Sequence, residues 1–360
     1  MKRRDFVAAA GAATLLGACG QTKECTTGSA KTSTQTQEVI KWTMVTTWPP
    51  GFQGLGTGAE YLAEQINKLS NGRIKVKVYG AGELVPALQV FDAVSSGSVE
   101  MGHGASYYWK GKLPAASFFS SVPFGLNAQE MNSWLLKGGG LELWQELYAP
   151  YNLIPMPGGN TDIQMAGWFN KEINSMEDIK GLKMRIPGLG GEVLKRAGGT
   201  PELIAGGEIF SALEMGRIDA AEFVGPYNDL AFGFYKAAKY YYYPGWQEPG
   251  TALEATINKE AMEQLPKDLQ DIVRSACLVA NADMLAEFSQ KNSEALKSLV
   301  NDHSVELKKL PDDVLNRFKE ISKELIAEQG QHDELSKRIY QSYLNFKASS
   351  LEWRKISQSL

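Results

Sequence analysis

Residues 39–80 contain, in order, VIKWTMVTTW, a glycine-rich turn, GAEYLAEQINKLSNG and RIKVKVYG. The pattern of this stretch indicates the fold class. Its first and last segments have the short, β-branched pattern of strands. The middle segment has helical spacing, with apolar residues on one face at Tyr61, Leu62, Ile66 and Leu69. A strand–helix–strand unit normally pairs its strands in parallel through a right-handed crossover. The sequence therefore predicts an α/β fold.

A short pattern occurs twice, as AVSSGSVEM at 93–101 and as ALEMGRIDA at 212–220. Each copy ends a predicted helix, turns at Gly97 or Gly216, and enters a strand with an acid at the same offset. The two acids are Glu100 and Asp219. A helix–glycine–strand junction is common in α/β proteins, so chance repetition is an alternative. If the same structural unit is used twice, the pattern indicates two similarly built lobes, which a hinged binding protein needs.

The length of the chain also favours two lobes, because about 320 residues exceed what one hydrophobic core usually supports. We expect a mainly N-terminal α/β lobe at 39–158 and a second α/β lobe with the cleft residues at 159–260. C-terminal helices at 261–360 would brace the lobes. The sequence is 43% hydrophobic with a formal net charge of −4. This balance argues against nucleic-acid binding and against a polybasic membrane surface.

The first residues have the pattern of an export signal, which we assign to 1–18. Arg3 and Arg4 resemble a twin-arginine signal, and the sequence LGAC ending at Cys19 resembles the lipobox of bacterial lipoproteins. We predict lipidation at Cys19 and a flexible linker at 19–38. The protein would be periplasmic, or held at the outer face of a membrane. An ordinary cleaved signal followed by a chance cysteine is the alternative.

Helical patterns dominate after residue 260. Pro266 precedes the first long helix, and Pro311 and Gly330 bound the second. A last helical stretch has apolar residues on roughly one face, at Ile339, Tyr343, Phe346 and Trp353. Such terminal helices brace two lobes or contact a partner chain.

Polar residues interrupt apolar or aromatic surroundings in the middle third of the chain, each near a turn or strand end: Asn160, Gln164, Arg185, Glu222 and Glu248. Two buried carboxylates need cations, because burial disfavours the charged form. The three histidines do not cluster with cysteine, so an oxygen-ligated Na⁺ or Ca²⁺ fits better than zinc. Arg185 would then bind a solute carboxylate. Alternatively, Arg185 pairs with Glu222 or Glu248 as a structural ion pair.

Four long segments resemble the solute receptors of tripartite ATP-independent periplasmic (TRAP) transporters, and the similarity covers essentially the whole mature chain. The segments are AGELVPALQVFDAVSSGSVEMGHGASYYWKGK, PGGNTDIQMAGWF, GLKMRIPGLGGEVLKRAGG and ALEMGRIDAAEFVGPYNDLAFGFYKAAKYYYYPGWQEPG. The chain is most similar to the subgroup that binds 2-oxoacids such as pyruvate. The resemblance implies a two-lobed periplasmic receptor fold with a hinge.

The resemblance also implies roles for individual residues. The arginine of GLKMR pairs with the substrate carboxylate in that family, which points to Arg185. In the oxoacid subgroup a glutamine and two glutamates hold a cation that also contacts the solute; the matching residues here are Gln164, Glu222 and Glu248. The residue after the first glutamate gives the cation a backbone carbonyl and is usually tryptophan. Here it is Phe223, which keeps the carbonyl but has no indole hydrogen bond.

Cleft-lining roles are implied for Asn160 and for one of Tyr107 and Tyr108. The function implied is binding of a small monocarboxylate, a 2-oxoacid such as pyruvate, which a membrane permease then transports without any catalysed reaction. A 2-hydroxy acid such as lactate is the first alternative. The family resemblance also allows a homodimer formed through the long C-terminal helix.

An enzyme is the more distant alternative. Glu222 and Glu248 would then be the acid–base pair of an exported hydrolase or lyase. An arginine anchor and ion-holding groups around the two carboxylates favour binding over catalysis.

Overall fold

The computed structural model describes residues 38–357. The predicted signal at 1–18, the predicted lipidation site Cys19 and all but the last residue of the predicted linker lie outside this range. The described chain contains two mixed sheets with helices between their strands. The predicted α/β class is confirmed.

The elements follow one another in the order expected for an α/β protein. The strands are β1 (Ile40–Thr46), β2 (Ile74–Tyr79), β3 (Met101–Gly104), β4 (Leu153–Asn160), β5 (Gly167–Phe169), β6 (Lys183–Arg185), β7 (Thr200–Glu202), β8 (Ala220–Ala221), β9 (Tyr240–Tyr243), β10 (Ala252–Asn258) and β11 (Glu306–Lys309). The α-helices are α1 (Gly56–Leu69), α2 (Val90–Ser95), α3 (Ala128–Lys137), α4 (Gly140–Tyr148), α5 (Gly188–Arg196), α6 (Ile209–Glu214), α7 (Pro226–Phe232), α8 (Lys259–Glu263), α9 (Lys267–Asn301), α10 (Asp312–Gln329) and α11 (Glu334–Ser357).

The first sheet has five strands in the order β2-β1-β3-β10-β4. β1 pairs in parallel with β2 across α1, as the opening stretch predicts. α1 packs Leu62 and Ile66 fully into the core, whereas Leu69 at its end is 45% exposed. β10 runs antiparallel to both β3 and β4. Because β10 lies within 159–260, the chain returns to the first sheet before residue 260; the lobe boundaries stay a prediction.

The second sheet has six strands in the order β11-β9-β5-β8-β6-β7. β6 pairs in parallel with both β7 and β8, whereas β5 is antiparallel to β8 and β9. Parallel neighbours bring their carboxyl ends to the same edge of the sheet, where loops carry functional residues. That edge is where the predicted Arg185 and Glu222 lie.

The two copies of the helix–glycine–strand pattern make the same contact. Glu100 directly precedes β3, and its Oε2 accepts a hydrogen bond from the Thr43 amide of β1 at 2.7 Å. Asp219 precedes β8, and its Oδ2 accepts one from the Lys183 amide of β6 at 2.9 Å. In each sheet the acid therefore fixes the register of a parallel neighbour.

The three predicted C-terminal helices are present as α9, α10 and α11. In α11, Ile339 and Tyr343 are fully buried, and the Tyr343 hydroxyl accepts a hydrogen bond from the Leu126 amide at 2.9 Å. Trp353 is 68% exposed, so the apolar face predicted for this helix is covered only over its first part. Among the described residues, no helix combines the length and apolar character that a bilayer span requires.

Candidate functional site

Arg185 and Glu222 lie side by side at one edge of the second sheet. Arg185 is the last residue of β6, and Glu222 directly follows β8. The strands pair in parallel with Arg185 opposite Ala221, so their carboxyl ends meet. The Glu222 amide donates a hydrogen bond to the Arg185 carbonyl oxygen at 3.1 Å. Strand register therefore brings together two residues that are distant in sequence.

The Arg185 guanidinium is almost completely buried and makes several contacts. Its Nη1 donates to the Glu222 carbonyl oxygen at 2.8 Å and to Glu222 Oε1, forming a buried ion pair. Its Nε donates to the Ile204 carbonyl oxygen at 3.2 Å, and its Nη2 reaches the Tyr108 hydroxyl at 3.5 Å. The guanidinium carbon lies 5.5 Å from the centroid of the Phe223 ring. The Arg185–Glu222 ion pair considered as an alternative is present in this structure.

Glu222 has one carboxylate oxygen without a partner. The residue is fully buried, and burial raises the pKa of its carboxyl well above the ordinary value. The positive charge of Arg185 opposes this shift, whereas the negative charge of Glu248 adds to it. Oε1 pairs with Arg185, but Oε2 has no hydrogen-bond partner among the described residues. A buried polar atom left unpaired costs about 1–3 kcal/mol, so Oε2 marks a position for a ligand.

Glu248 lies in a second hydrogen-bonded group. Its Oε2 accepts from the Thr251 hydroxyl at 2.8 Å, and Thr251 Oγ1 in turn accepts from Gln164 Nε2 at 3.2 Å. Burial raises the pKa of Glu248 to about 7, against the opposing effects of the Thr251 hydrogen bond, the Arg185 charge and the nearby Tyr107 hydroxyl. The electrostatic effect of Arg185 on Glu248 connects this group with the ion pair.

Gln164 is held so that its side-chain oxygen stays available. Its Nε2 donates to the Thr161 and Thr251 hydroxyls, both at 3.2 Å, and its amide donates to the Glu248 carbonyl oxygen at 3.1 Å. Only glycine fits opposite it, because a Cβ at Gly245 would lie 1.9 Å from the Gln164 carbonyl oxygen. Gln164 Oε1 is buried and has no partner within residues 38–357.

Asn160 adds an unpaired donor at the neighbouring edge of the first sheet. It ends β4 opposite Ala252 of β10 and is fully buried. Its Oδ1 accepts from the Asp162 amide at 2.8 Å, which leaves Nδ2 without a partner in the described chain. The unpaired acceptors on Gln164 and Glu222 and the unpaired donor on Asn160 are therefore among the buried polar atoms of this region. Acceptors suit a cation, and the donor suits an oxygen atom of a solute.

Both candidate tyrosines reach the charged groups. Tyr107 is 5% exposed and lies close enough to Glu248 to lower the pKa of its carboxyl, whereas the hydroxyl of half-buried Tyr108 lies near Arg185 Nη2. The tyrosines meet edge to face, with ring centroids 4.8 Å apart. The sequence left open which one faces the cleft; in the structure each contacts a different charged residue.

All the predicted site residues thus lie in one connected region that receives residues from both sheets. Asn160 ends β4 and the two tyrosines follow β3 in the first sheet, whereas Arg185 ends β6 and Glu222 follows β8 in the second. Phe223 is 3% exposed, and its ring packs over Gly206, where a Cβ would lie 2.7 Å away. No group of three or more His, Cys, Asp or Glu residues with metal-binding geometry occurs in 38–357. The predicted ligand set differs from such groups, since it combines two carboxylates with an amide and a backbone carbonyl.

Several residues of the site were missed from the sequence. Thr161 and Thr251 orient Gln164, and both stand in or beside the quoted motifs. Asp229 in α7 is buried, and its Oδ2 accepts hydrogen bonds from the Trp168 indole at 2.9 Å and the Tyr241 hydroxyl at 2.7 Å, whereas its Oδ1 has no partner among the described residues. Burial raises the pKa of Asp229 to about 7. The sequence signal for Asp229 is only an acid in an aromatic segment.

A large cavity lies elsewhere in the molecule. It has a volume of about 610 Å³ and is bounded by α10, α11 and the loop containing Phe124. The charged cluster is instead tightly closed: Gln164, Arg185, Glu222 and Glu248 each expose 3% or less of their surface. We therefore identify the site by its unpaired polar atoms and charges rather than by cavity size.

Comparison with known proteins identifies the family of the chain. Residues 44–333 match the family model of bacterial extracellular solute-binding proteins, family 7. This chain belongs to that family. The family and the fold are those of solute-binding receptors rather than enzymes, and the predicted resemblance to TRAP receptors is confirmed.

A close relative is the monocarboxylate 2-oxoacid-binding periplasmic protein of Nostoc sp. The two are 44% identical over 363 residues, which cover 99% of this chain and 97% of the relative.

Two solved structures of TRAP periplasmic solute-binding proteins are also similar. One, from Pseudoalteromonas atlantica, contains sodium and pyruvate; it is 41% identical with a TM-score of 0.87, covering 89% of this chain and 98% of that one. The other, from Colwellia psychrerythraea, contains calcium and pyruvate; it is 42% identical with the same TM-score and coverages. The two-lobed α/β receptor fold follows from these similarities.

Proposed function

We propose that this chain is the extracytoplasmic solute receptor of a TRAP transporter and binds a small 2-oxoacid, such as pyruvate, together with Na⁺ or Ca²⁺. The observation that carries the proposal is a buried arginine beside unpaired acceptors on Gln164 and Glu222. The names of the Nostoc relative and of the two pyruvate-bound structures support the same class of solute.

The cation would be held by Gln164 Oε1, the Glu222 and Glu248 carboxylates, and the Phe223 carbonyl oxygen. It would supply positive charge that the protein lacks. Glu222, Glu248 and Arg185 together carry one net negative charge when both acids are ionised. A second anion would enter such a buried site unfavourably, because charge repulsion is strong where water is excluded. We therefore infer that the cation and the carboxylate bind cooperatively.

Arg185 would bind the solute carboxylate. Its Nη1 already donates twice to Glu222, so Nη2 is the nitrogen most available to a solute. A two-point contact through Nη1 and Nη2 requires Glu222 Oε1 to leave Arg185. A bound cation favours this exchange, since it offers the Glu222 carboxylate another positive partner.

The remaining groups would select the solute. Asn160 Nδ2 is a buried donor and fits the 2-oxo oxygen, an acceptor that lies next to the carboxylate in a 2-oxoacid. Tyr107, Tyr108 and Phe223 enclose the site and limit its size. Phe223 offers no side-chain donor, so solutes with additional polar groups gain nothing on that side. Bringing groups of two sheets onto one small anion would close the two lobes.

The receptor would deliver its solute to a membrane permease. Lipidation at Cys19 would keep it near that permease by raising the effective concentration. The exposed end of α11, with Trp353, would allow a homodimer through this helix. Light scattering of the mature protein measures the oligomeric state directly.

Calorimetric titration of short carboxylic acids tests the proposal. Pyruvate, 2-oxobutyrate, lactate and a dicarboxylate are titrated into the mature protein in Na⁺, in Ca²⁺ and in a buffer with neither ion. We expect the 2-oxoacids to bind most tightly, to remain chemically unchanged, and to raise the melting temperature. Tighter binding of lactate would transfer the assignment to 2-hydroxy acids, and conversion of a solute to product would refute the receptor function.

A further inference from the structure

Glu254 is a buried acid outside the proposed binding residues. It lies in β10 between Gly104 of β3 and Pro157 of β4, and only 1% of its surface is exposed. Its Oε1 accepts a hydrogen bond from the Trp109 indole, and its Oε2 accepts one from the Tyr148 hydroxyl at 2.8 Å. Both oxygens are therefore held by neutral donors.

The two donors belong to different parts of the fold. Trp109 ends the 3₁₀ turn Ser106–Trp109, which also carries Tyr107 and Tyr108. Tyr148 ends α4 and packs against aromatic rings of the first-lobe core. Only one of the two hydrogen bonds to Glu254 thus leads directly to the proposed binding site.

The turn needs anchors because it extends from the first sheet to residues of the second. Its tip brings the Tyr108 hydroxyl to 3.5 Å from Arg185 Nη2. The Ser106 hydroxyl holds the start of the turn by donating to a backbone carbonyl oxygen at 2.8 Å. Glu254 holds the end of the turn through the Trp109 indole.

Glu254 also belongs to the chain segment that carries the other half of the site. β10 begins directly after Thr251, whose hydroxyl contacts Glu248, and Glu254 follows in the same strand. The hydrogen bond between Trp109 and Glu254 therefore joins the turn with Tyr107 to the segment with Glu248. The Tyr107 hydroxyl lies close enough to Glu248 to lower the pKa of its carboxyl.

We propose that Glu254 is a positioning residue for solute binding, which fixes the turn through Trp109 so that Tyr107 meets Glu248 and Tyr108 meets Arg185. This inference rests on the proposed function, because it assigns the two tyrosines to the solute site. A carboxyl group suits the task, since its two oxygens accept one hydrogen bond from each of the two parts of the fold. The Tyr148 hydroxyl satisfies the second oxygen, so no acceptor of Glu254 is left unpaired.

A matched pair of variants tests the proposal. Trp109→Phe and Tyr148→Phe each remove one donor to the same carboxylate and leave an aromatic ring in place. Calorimetry with pyruvate in Na⁺ gives the affinity, and thermal unfolding gives the stability. We expect both variants to lower the melting temperature, but only Trp109→Phe to weaken pyruvate binding, by about tenfold. Glu254→Gln keeps a carbonyl oxygen for the indole, so it should lose less affinity than Trp109→Phe.

Amide hydrogen exchange provides a readout that needs no solute. The Tyr108 and Lys110 amides are protected by hydrogen bonds within the turn, to the Ala105 and Tyr107 carbonyl oxygens. We expect them to exchange faster in Trp109→Phe and at the wild-type rate in Tyr148→Phe.

Two outcomes would overturn the positioning role: equal loss of pyruvate affinity in both variants, or unchanged exchange of the turn in Trp109→Phe. Failure of the proposed function has a different signature, in which the wild type itself does not bind pyruvate. The exchange rates then still decide whether Glu254 fixes the turn.

Discussion

Glu222 and Glu254 are both buried carboxyl groups near strand ends, but their partners differ. Both Glu254 oxygens receive hydrogen bonds from neutral donors. Glu222 has Arg185 on one oxygen and no described partner on the other. Burial raises the pKa of both groups, so neither depth nor pKa distinguishes them. The unpaired oxygen beside the Arg185 guanidinium does: it indicates a group that binds a ligand, whereas a fully paired carboxyl group such as Glu254 holds other residues in place.

Gln164 is an uncharged side chain that also has an unpaired buried oxygen. Its amide nitrogen is bound by two threonine hydroxyls, and its buried oxygen has no partner in the described part of the chain. The fixed nitrogen determines which way the unpaired oxygen points. Substitutions at Gln164 and Glu222 therefore test most directly whether unpaired buried oxygens mark the binding site.

Replacing Arg185 should have the largest effect. Arg185→Ala should lower pyruvate affinity by at least about thirtyfold, because truncating one partner of a buried charged pair costs about 2–5 kcal/mol. Calorimetry measures the loss. Arg196→Ala is the control, since Arg196 pairs with Glu328 at the surface and such pairs contribute little.

If Arg185→Ala fails to fold, Arg185→Lys keeps the charge and loses the planar fork, and it should still weaken binding. Wild-type affinity for pyruvate in either folded variant would mean that Glu222 and Arg185 form only a structural ion pair. The distinction between binding and positioning carboxylates would then be wrong.

Neutralising the two acids of the site should have the next largest effect. Glu222→Gln and Glu248→Gln should each weaken the cation and pyruvate together, by about tenfold to a hundredfold, since each removes a charged acceptor worth about 1.5–3 kcal/mol. Glu130→Gln is the control, because Glu130 is also nearly buried but caps α3 away from the cluster. A loss of cation affinity at unchanged pyruvate affinity would show that the two ligands do not share the site.

Glu254 should make the free energy of unfolding depend on pH. Burial raises its folded-state pKa from the ordinary 4.5 to about 7. Between these values the folded protein binds more protons than the unfolded chain, so this group's contribution to stability falls as pH rises and levels off above about pH 7. Between pH 5 and 8 the wild type should lose roughly 2 kcal/mol more unfolding free energy than Glu254→Gln. Denaturant unfolding measures both, and parallel pH profiles would contradict the raised pKa.

Much of the fold could be predicted from the sequence because its signals are local. The parallel β1–β2 pair follows from the periodicity of residues 39–80, and α9 and α10 follow from their bounding prolines. The exposure of Trp353 could not be predicted, since helical periodicity gives a face but not what covers it. The return of β10 to the first sheet likewise depends on long-range pairing.

The candidate site divides in the same way. Arg185, Glu222 and Glu248 were predicted because charged residues in apolar surroundings are conspicuous, and family resemblance gave them roles. The convergence of Arg185 and Glu222 depends on the parallel register of β6 and β8, which no local pattern specifies. The role of Glu254 was missed for the same reason: its donors, Trp109 and Tyr148, lie far from it in sequence.

The proposed mechanism requires one cation and Arg185 to bind the same solute carboxylate. The most direct test is calorimetric measurement of pyruvate affinity in wild-type protein as Na⁺ or Ca²⁺ is raised from zero, with ionic strength held constant by choline chloride. We expect the affinity for pyruvate to increase with one of these cations and to reach a plateau once the cation site is saturated. An affinity that stays constant across both titrations would contradict the proposed mechanism.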